Sequence, residues 1–268
     1  MKKIFTFSLI FIVSSIAFAK SKSAQPLVIG VTDKIVSKEL SETRLLNIYL
    51  PDSYVKNDTL PYPVVYLLDG SANEDFLHIA GLVQFLTMIG AMPETIVVGI
   101  ANVDRRRDFT FPTSVDEDKK LVPVNGGAAK FISFVEQELK PYVEKNYKVS
   151  KKSTLIGQSL GGLMATQLLF AKPGLFSNYI IVSPSLWWNN ESLLKQTQLL
   201  GDKRHAETKV YIAVGEEGGQ MKEDAKKLND ILQEKKIKTS FHFMPAENHL
   251  TILHNCIYSA LQEINKVK

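Results

Sequence analysis

The segment "STLIGQSLGGLMATQLL", Ser153–Leu169, decides the fold of this chain. Its first residues are apolar and β-branched, which favours a buried strand, and its last residues favour a helix. Between them lies a Gly-x-Ser-x-Gly pattern, Gly157–Gly161, with Ser159 at its centre. A serine on a sharp turn between a strand and a helix exposes its hydroxyl, and flanking glycines leave room for that turn. The pattern predicts either a nucleophile elbow or a glycine-rich packing link between two core elements.

Strands and helices alternate on both sides of this segment. With Ser153–Gly157, eight strands are predicted, the others at Leu27–Lys38, Thr43–Leu50, Tyr62–Leu68, Thr95–Val103, Tyr179–Val182, Lys209–Val214 and Thr239–Phe243. Helices are predicted at Asn73–Ile89, Gly127–Asn146, Leu160–Ala171, Ser192–Leu200, Gly219–Gln233 and Leu250–Val267, and a polar loop at Asp104–Asn125. Val/Ile/Leu-rich strands that alternate with helices favour a parallel sheet covered on both faces. We therefore predict an α/β fold with a mostly parallel sheet of about eight strands.

The first residues have the pattern of an export signal. Lys2 and Lys3 precede the apolar run Ile4–Phe18, and Ala17–Ala19 has the small-x-small pattern of a cleavage site. Because the run is short for a membrane span, a cleaved signal over residues 1–19 is predicted, and a retained anchor is the alternative. Residues 20–268 are then expected to form one periplasmic or secreted domain without stable membrane insertion.

Composition narrows the class of protein. The 268 residues are 45% hydrophobic and 22% charged, as in ordinary globular domains. The net charge of +4 comes mostly from dispersed lysines, so no nucleic-acid partner is expected. Cys256 is the only cysteine, which excludes an internal disulfide and a cysteine-based zinc site. Neither a metal nor a cofactor is expected.

A nucleophilic serine needs a base beside it. An elbow of this kind requires a histidine on the loop after the last strand, and of the five histidines only His249 lies there. His242 falls inside a predicted strand, His78 and His254 inside helices, and His205 in a charged loop. His249 is therefore the predicted base. The alternative is that His249 lies at the N-terminus of a helix and has no catalytic role.

The acid that orients His249 is expected after the strand Lys209–Val214, where Glu216 and Glu217 follow. The sequence barely separates the two, and a Ser-His dyad without an acid is a third interpretation. The oxyanion hole is predicted to combine the N–H of Leu160 with an amide of the loop after Tyr62–Leu68. In that loop Gly70 and Ser71 are the candidates.

These motifs resemble the putative-esterase (esterase D-like) family of the α/β-hydrolases, which includes enterochelin-type siderophore esterases, feruloyl and acetylxylan esterases and S-formylglutathione hydrolases. The resemblance runs from about Thr43 to the C-terminus. It rests on "VVYLLDG" (64–70), "VVGIANVDRRRDFTFP" (97–112), "FVEQELKPYVEKNY" (134–147), "LIGQSLGGLMA" (155–165), "VSPSLWWNN" (182–190) and "ENH" (247–249). It implies an α/β-hydrolase fold with Ser159 as nucleophile and His249 as base. Many relatives carry the acid at the position of Gly218, so the nearest carboxylate, Glu217, is predicted here.

Two further features are predicted to bind substrate. Arg105, in the loop "NVDRRRDFT", could hold a carboxylate or catecholate-rich substrate, or residues 105–107 could instead pair with Asp104 and Asp108 and fix the loop. Trp187 and Trp188 follow a strand end, where one could line an acyl or aryl pocket or pack in the core.

The sequence therefore predicts an exported serine esterase that acts on a small-molecule ester through an acyl-enzyme on Ser159. A siderophore-type ester is the first substrate expected, and a feruloyl or acetyl group on a polysaccharide is the alternative. A non-catalytic binding protein on a hydrolase scaffold and an acyltransferase are the rival interpretations.

Overall fold

The computed structural model describes residues 25–54, 61–201 and 207–266. The predicted signal at residues 1–19 and the loop residue His205 lie outside these ranges. In the part of the chain that is described, no helix is both long and apolar enough to cross a membrane.

Eight strands of the described chain form one sheet in the order β1-β2-β4-β3-β5-β6-β7-β8. The strands are β1 Val31–Ser37, β2 Glu42–Tyr49, β3 Tyr62–Leu67, β4 Ile96–Ile100, β5 Val149–Gln158, β6 Asn178–Val182, β7 Lys209–Gly215 and β8 Lys238–Met244. The β1–β2 and β2–β4 pairs are antiparallel, and the other neighbouring pairs are parallel. The predicted α/β fold with a mostly parallel sheet is confirmed.

Helices cover both faces of the sheet. They are α1 Phe76–Met88, α2 Arg105–Phe109, α3 Asp116–Leu121, α4 Ala128–Phe134, α5 Lys140–Asn146, α6 Leu160–Ala171, α7 Trp188–Glu191 (a single turn with left-handed φ angles), α8 Gly219–Glu234 and α9 Ile252–Asn265. The alternation of side chains along β3 shows how two cores arise. Tyr66 packs in the cluster that contains α4, α6 and α8, whereas Val65 and Leu67 pack in the cluster that contains α1 and α9.

The long helix predicted at Gly127–Asn146 is present, but its middle is widened. A π-helical stretch, Val135–Leu139, joins α4 to α5. Pro141 lies in the first turn of α5. Because proline has no N–H to donate and its ring crowds the preceding turn, a local widening is the expected adjustment.

The prediction of a loop over Asp104–Asn125 was wrong in part, because α2 and α3 form within it. Asp104 caps α2, accepting a hydrogen bond from the N–H of Arg107 at 3.0 Å. The first turn of α3 carries three acidic residues, which the positive end of a helix dipole favours. Local capping and charge therefore form short helices that a hydrophobic pattern does not reveal.

The helix predicted at Ser192–Leu200 was also wrong. The chain there forms two short 3₁₀ turns, Leu193–Lys195 and Thr197–Gly201. Just before them, Asn189, Asn190 and Glu191 all have positive φ angles of 51–55°. A left-handed turn cannot continue into a right-handed α-helix, so the chain is redirected before the predicted helix begins.

The order of the strands determines where a site can form. The chain leaves β3 towards β4 on one side, whereas β5 lies on the other side of β3. This reversal opens a crevice at the carboxyl ends of β3 and β5, the usual position of a ligand site in an open α/β sheet. The loop after β3 and the Gly-x-Ser-x-Gly turn after β5 meet there.

Candidate active site

Ser159 lies on a strained turn between β5 and α6. Its φ and ψ angles are 58° and −121°, a conformation that an L-residue adopts only when the surroundings enforce it, at a cost of roughly 1–3 kcal/mol. Glycines make the turn sterically feasible. A Cβ atom at Gly157 would lie 2.3 Å from the carbonyl oxygen of Gly161, and one at Gly162 would lie 2.9 Å from Cα of Pro184. The turn therefore has the geometry of a nucleophile elbow.

The predicted catalytic residues line one pocket. Its volume is about 420 Å³, and its lining residues are Ser159, Ser185, Trp187, Glu216, Glu217, Met221, Asn248 and His249. The hydroxyl oxygens of Ser159 and Ser185 are 3.4 Å apart. The pocket thus brings together two hydroxyls, an imidazole and two carboxylates from separate parts of the sequence.

The structure distinguishes the two glutamates by their contacts. Oε2 of Glu217 lies 2.5 Å from Nδ1 of His249, and the Glu217 side chain is only 4% exposed. Glu216 is exposed and lines the same pocket. An imidazole whose Nδ1–H donates to a carboxylate has an unprotonated Nε2, which can accept a proton from a hydroxyl. Glu217 is therefore positioned to orient His249, and its role as the catalytic acid stays a prediction.

His249 is also held through its backbone. The side-chain amide of Gln158, the residue before Ser159, donates to the carbonyl oxygen of His249 at 2.5 Å. Since β5 and β8 are three strands apart, or roughly 14 Å, the loop after β8 must fold back across the sheet edge to make this contact. It crosses at Gly215, where a Cβ atom would lie 2.5 Å from the carbonyl oxygen of Glu247. That oxygen accepts the N–H of Glu216 at 2.7 Å.

The two predicted oxyanion donors differ in their availability. Leu160 is the first residue of α6, so its N–H has no acceptor within the helix and lies at the positive end of the helix dipole. The N–H of Ser71 instead donates to Oε2 of Glu74 at 3.1 Å, and that of Gly70 to the carbonyl of Ile100 at 3.0 Å. Ser71 could serve an oxyanion only after its bond to Glu74 is released.

The carboxylate of Glu74 is a strong hydrogen-bond acceptor for the N–H of Ser71. Burial tends to raise the pKa of Glu74, but hydrogen bonds from Ser71 and Asn102 and the charge of Arg105 outweigh burial and lower it. The carboxylate is therefore ionised at neutral pH and accepts both donors. In the loop after β3, the N–H of Ser71 is therefore occupied by the side chain of Glu74, a residue of the same loop.

Arg105 makes the pairing contact that was one of its two predicted roles, with a different partner. Its Nε and Nη2 atoms donate to the two carboxylate oxygens of Asp69 at 2.7 and 2.9 Å. Asp69 has a positive φ of 55° and also accepts from the side-chain amide of Asn102 at 2.7 Å. Arg105 thus fixes the strained residue at the end of β3, and its binding of substrate stays a prediction.

The adjacent tryptophans have different environments. Trp187 lines the pocket, and its predicted contact with substrate stays a prediction. Trp188 is fully buried and donates its indole N–H to the carbonyl of Phe111 at 2.8 Å. Trp187 therefore supplies an aromatic wall of the pocket. The buried ring of Trp188 anchors the adjacent backbone to the loop after α2.

The other described histidines lie outside the pocket. His242 stacks on Tyr211 with ring centroids 4.3 Å apart, and its Nε2 is 3.3 Å from Glu263. His254 packs edge-to-face against His78. Among the residues described, no group of three or more His, Cys, Asp or Glu side chains could hold a metal ion.

Three residues of this region were missed by sequence reasoning: Gln158, Ser183 and Ser185. Gln158 holds the His249 loop, Ser183 donates to Glu217, and Ser185 touches Ser159. Their positions in the sequence could have indicated a role, because each lies at or just after the carboxyl end of a predicted parallel strand, where functional groups collect.

Comparison with known proteins supports one family. Residues 37–254 match the sequence profile of the family described as "Putative esterase". The ferri-bacillibactin esterase BesA of Bacillus subtilis is 32% identical over 251 residues, which cover 83% of this chain and 85% of that protein. The chain belongs to this esterase family.

Solved structures agree with this assignment. The BES protein from Bacillus cereus superposes with a TM-score of 0.79 at 31% identity, covering 92% of this chain and 100% of that one. An IroE-like serine hydrolase from Shewanella oneidensis has a TM-score of 0.78 at 27% identity, covering 89% of this chain and 82% of that one. The esterase family makes this chain an ester hydrolase of α/β-hydrolase fold.

Replacing Gln158 with Ala tests the hold on the His249 loop. Without the amide, the loop loses its contact with β5 and His249 samples more positions, so kcat/KM for a small ester should fall about 10- to 100-fold. Steady-state kinetics with p-nitrophenyl acetate measure this change. Gln233→Ala, at an exposed position of α8, is the matched control. Equal kcat/KM values for Gln158→Ala and Gln233→Ala would contradict the role of Gln158 in holding the His249 loop.

Proposed function

We propose that this chain is a serine esterase with Ser159 as nucleophile, His249 as general base and Glu217 as the acid that orients it. The observation that carries the proposal is the shared pocket, where a serine on a strained elbow and a Glu217–His249 pair with a 2.5 Å contact occur together. A binding protein on this scaffold would have no use for the strained serine conformation and the buried carboxylate behind the imidazole.

The proposed reaction has two halves. His249 takes the proton of Ser159 through Nε2 as the oxygen attacks the ester carbonyl, and the N–H of Leu160 stabilises the oxyanion. The imidazolium, stabilised by Glu217, then gives its proton to the departing alcohol. In the second half, His249 removes a proton from water, which attacks the acyl-enzyme, and Ser159 leaves with the proton restored.

The proposed substrate is a siderophore-type ester. The support is the similarity to a ferri-bacillibactin esterase, together with a pocket large enough for a small acyl or alcohol group. Trp187 and Met221 offer it apolar contact, and the charged side chains among its described lining residues are the acids Glu216 and Glu217 beside His249. The neutral ester segment of the substrate would therefore occupy this pocket, with anionic iron-binding groups outside it.

Two finer points belong to the same proposal. Export by a cleaved signal over residues 1–19 would bring the enzyme to the periplasm or the medium. The amide partner of Leu160 in the oxyanion hole would come from the loop after β3, with Ser71 freed from Glu74 when substrate binds.

Ser159→Ala tests the nucleophile. We expect its turnover of p-nitrophenyl butyrate and of a trilactone siderophore to fall at least about 1,000-fold, because no acyl-enzyme can form. Initial rates by absorbance and by chromatography of the hydrolysed siderophore measure this loss. Ser192→Ala, away from the pocket, is the control. Turnover by Ser159→Ala at the rate of the control would exclude this mechanism.

Glu217→Gln and Glu216→Gln form a matched pair for the acid. We expect the first to lower kcat about 10- to 1,000-fold, because a neutral amide no longer stabilises the imidazolium, and the second to change kcat less than about threefold. Both are measured on the same neutral ester at saturating concentration. A larger loss in Glu216→Gln than in Glu217→Gln would reverse the assignment, and no loss in either would favour a Ser-His dyad.

A further inference from the structure

Ser183 has three features that packing alone does not require. It is the first residue after β6 and is fully buried. Its φ angle is 41°, in the left-handed region that non-glycine residues avoid. Its hydroxyl donates to Oε1 of Glu217 at 2.5 Å. A buried polar residue in a strained conformation with one short bond to a carboxylate indicates a role for that bond.

The carboxylate of Glu217 is divided between two tasks. Oε1 accepts the hydroxyl of Ser183 and the N–H of Gly215, the latter at 3.1 Å, whereas Oε2 faces Nδ1 of His249. A carboxylate that is 4% exposed needs such donors, because burying an unpaired charge is costly. Ser183 and Gly215 therefore bind Oε1 of Glu217 and leave Oε2 to contact His249.

The turn that carries Ser183 also contacts the nucleophile. The N–H of Ser159 donates to the carbonyl of Val182 at 3.1 Å, and the N–H of Ser185 donates to the carbonyl of Ser159 at 3.0 Å. Pro184, between the two serines, packs against Gly162 at the start of α6. The turn after β6 thus links the elbow on β5 to the acid after β7.

We infer that Ser183 is a positioning residue of the esterase, acting through Glu217 on His249. The inference rests on the proposed function. The Ser183 hydroxyl holds the side chain of Glu217 in the orientation that reaches His249. Ser183 itself does not line the pocket. Its effect should therefore appear in kcat rather than KM.

A double-mutant cycle tests this inference. Ser183→Ala should lower kcat about 10- to 100-fold with KM within about twofold, since a hydrogen bond to a buried charge is lost. In the Glu217→Gln background, the same change should lower kcat less than about twofold, because the partner that Ser183 positions is already disabled. Thr95→Val, which removes another buried hydroxyl bonded to Pro93 at 2.7 Å, is the control.

Two further measurements separate positioning from folding. Ser183→Gly also lacks the hydroxyl but tolerates the positive φ, so a kcat loss equal to that of Ser183→Ala in a protein of wild-type thermal stability supports the inference. The proton NMR signal of the His249 Nδ1–H should shift upfield or broaden in both variants and stay unchanged in Thr95→Val.

Other results would overturn the inference. One such result is a wild-type kcat in Ser183→Gly. Another is that Ser183→Ala lowers kcat by the same factor in the wild-type and in the Glu217→Gln background. Failure of the proposed function is distinguishable, since it would appear as full activity in Ser159→Ala, whatever Ser183 does.

Discussion

The approach of Gly157 to Gly161 is the constraint on which the rest of the site depends. The space between the end of β5 and the first turn of α6 would place a Cβ atom 2.3 Å from a backbone oxygen, so only glycine fits. This closeness forces the chain to turn within one residue and puts Ser159 at φ 58°. The strain at the serine is sustained by the packing on either side of it, a central strand whose last residues before the turn, 153–157, are buried and a helix with ten buried residues.

The remaining parts of the site follow from strand order. Strands β5, β6, β7 and β8 are consecutive neighbours, and their carboxyl ends carry Ser159, Ser183, Glu217 and His249 in that order. Parallel pairing aligns these ends, but two strands, β6 and β7, still lie between the strand that carries Ser159 and the strand that precedes His249. The loop after β8 closes the gap by crossing over Gly215 and reaching Gln158. A site that spans four strands is thus held by one backbone crossing and a few side-chain bonds.

Sequence reasoning predicted what depends on local pattern. Apolar runs and glycine spacing predict the sheet, the helix after the elbow and the loop that carries His249. The local pattern alone did not separate Glu216 from Glu217, and the choice of Glu217 came from the family resemblance, because adjacent residues in a turn point in different directions and the donor from Ser183 follows another strand. Arg105 is a similar case, since its partner Asp69 is 36 residues away. The left-handed turn at Asn189–Glu191 has no hydrophobic signature at all.

The central claim is that Ser159 is the reactive hydroxyl of the folded enzyme, and covalent labelling tests it most directly. Diethyl p-nitrophenyl phosphate transfers its diethylphosphoryl group to an activated serine and releases p-nitrophenolate, and peptide mass spectrometry then locates the adduct. The account predicts one adduct per chain, on Ser159, with activity lost in proportion to labelling and no adduct after unfolding in urea. An adduct on another residue, or full activity in a chain labelled at Ser159, would contradict it.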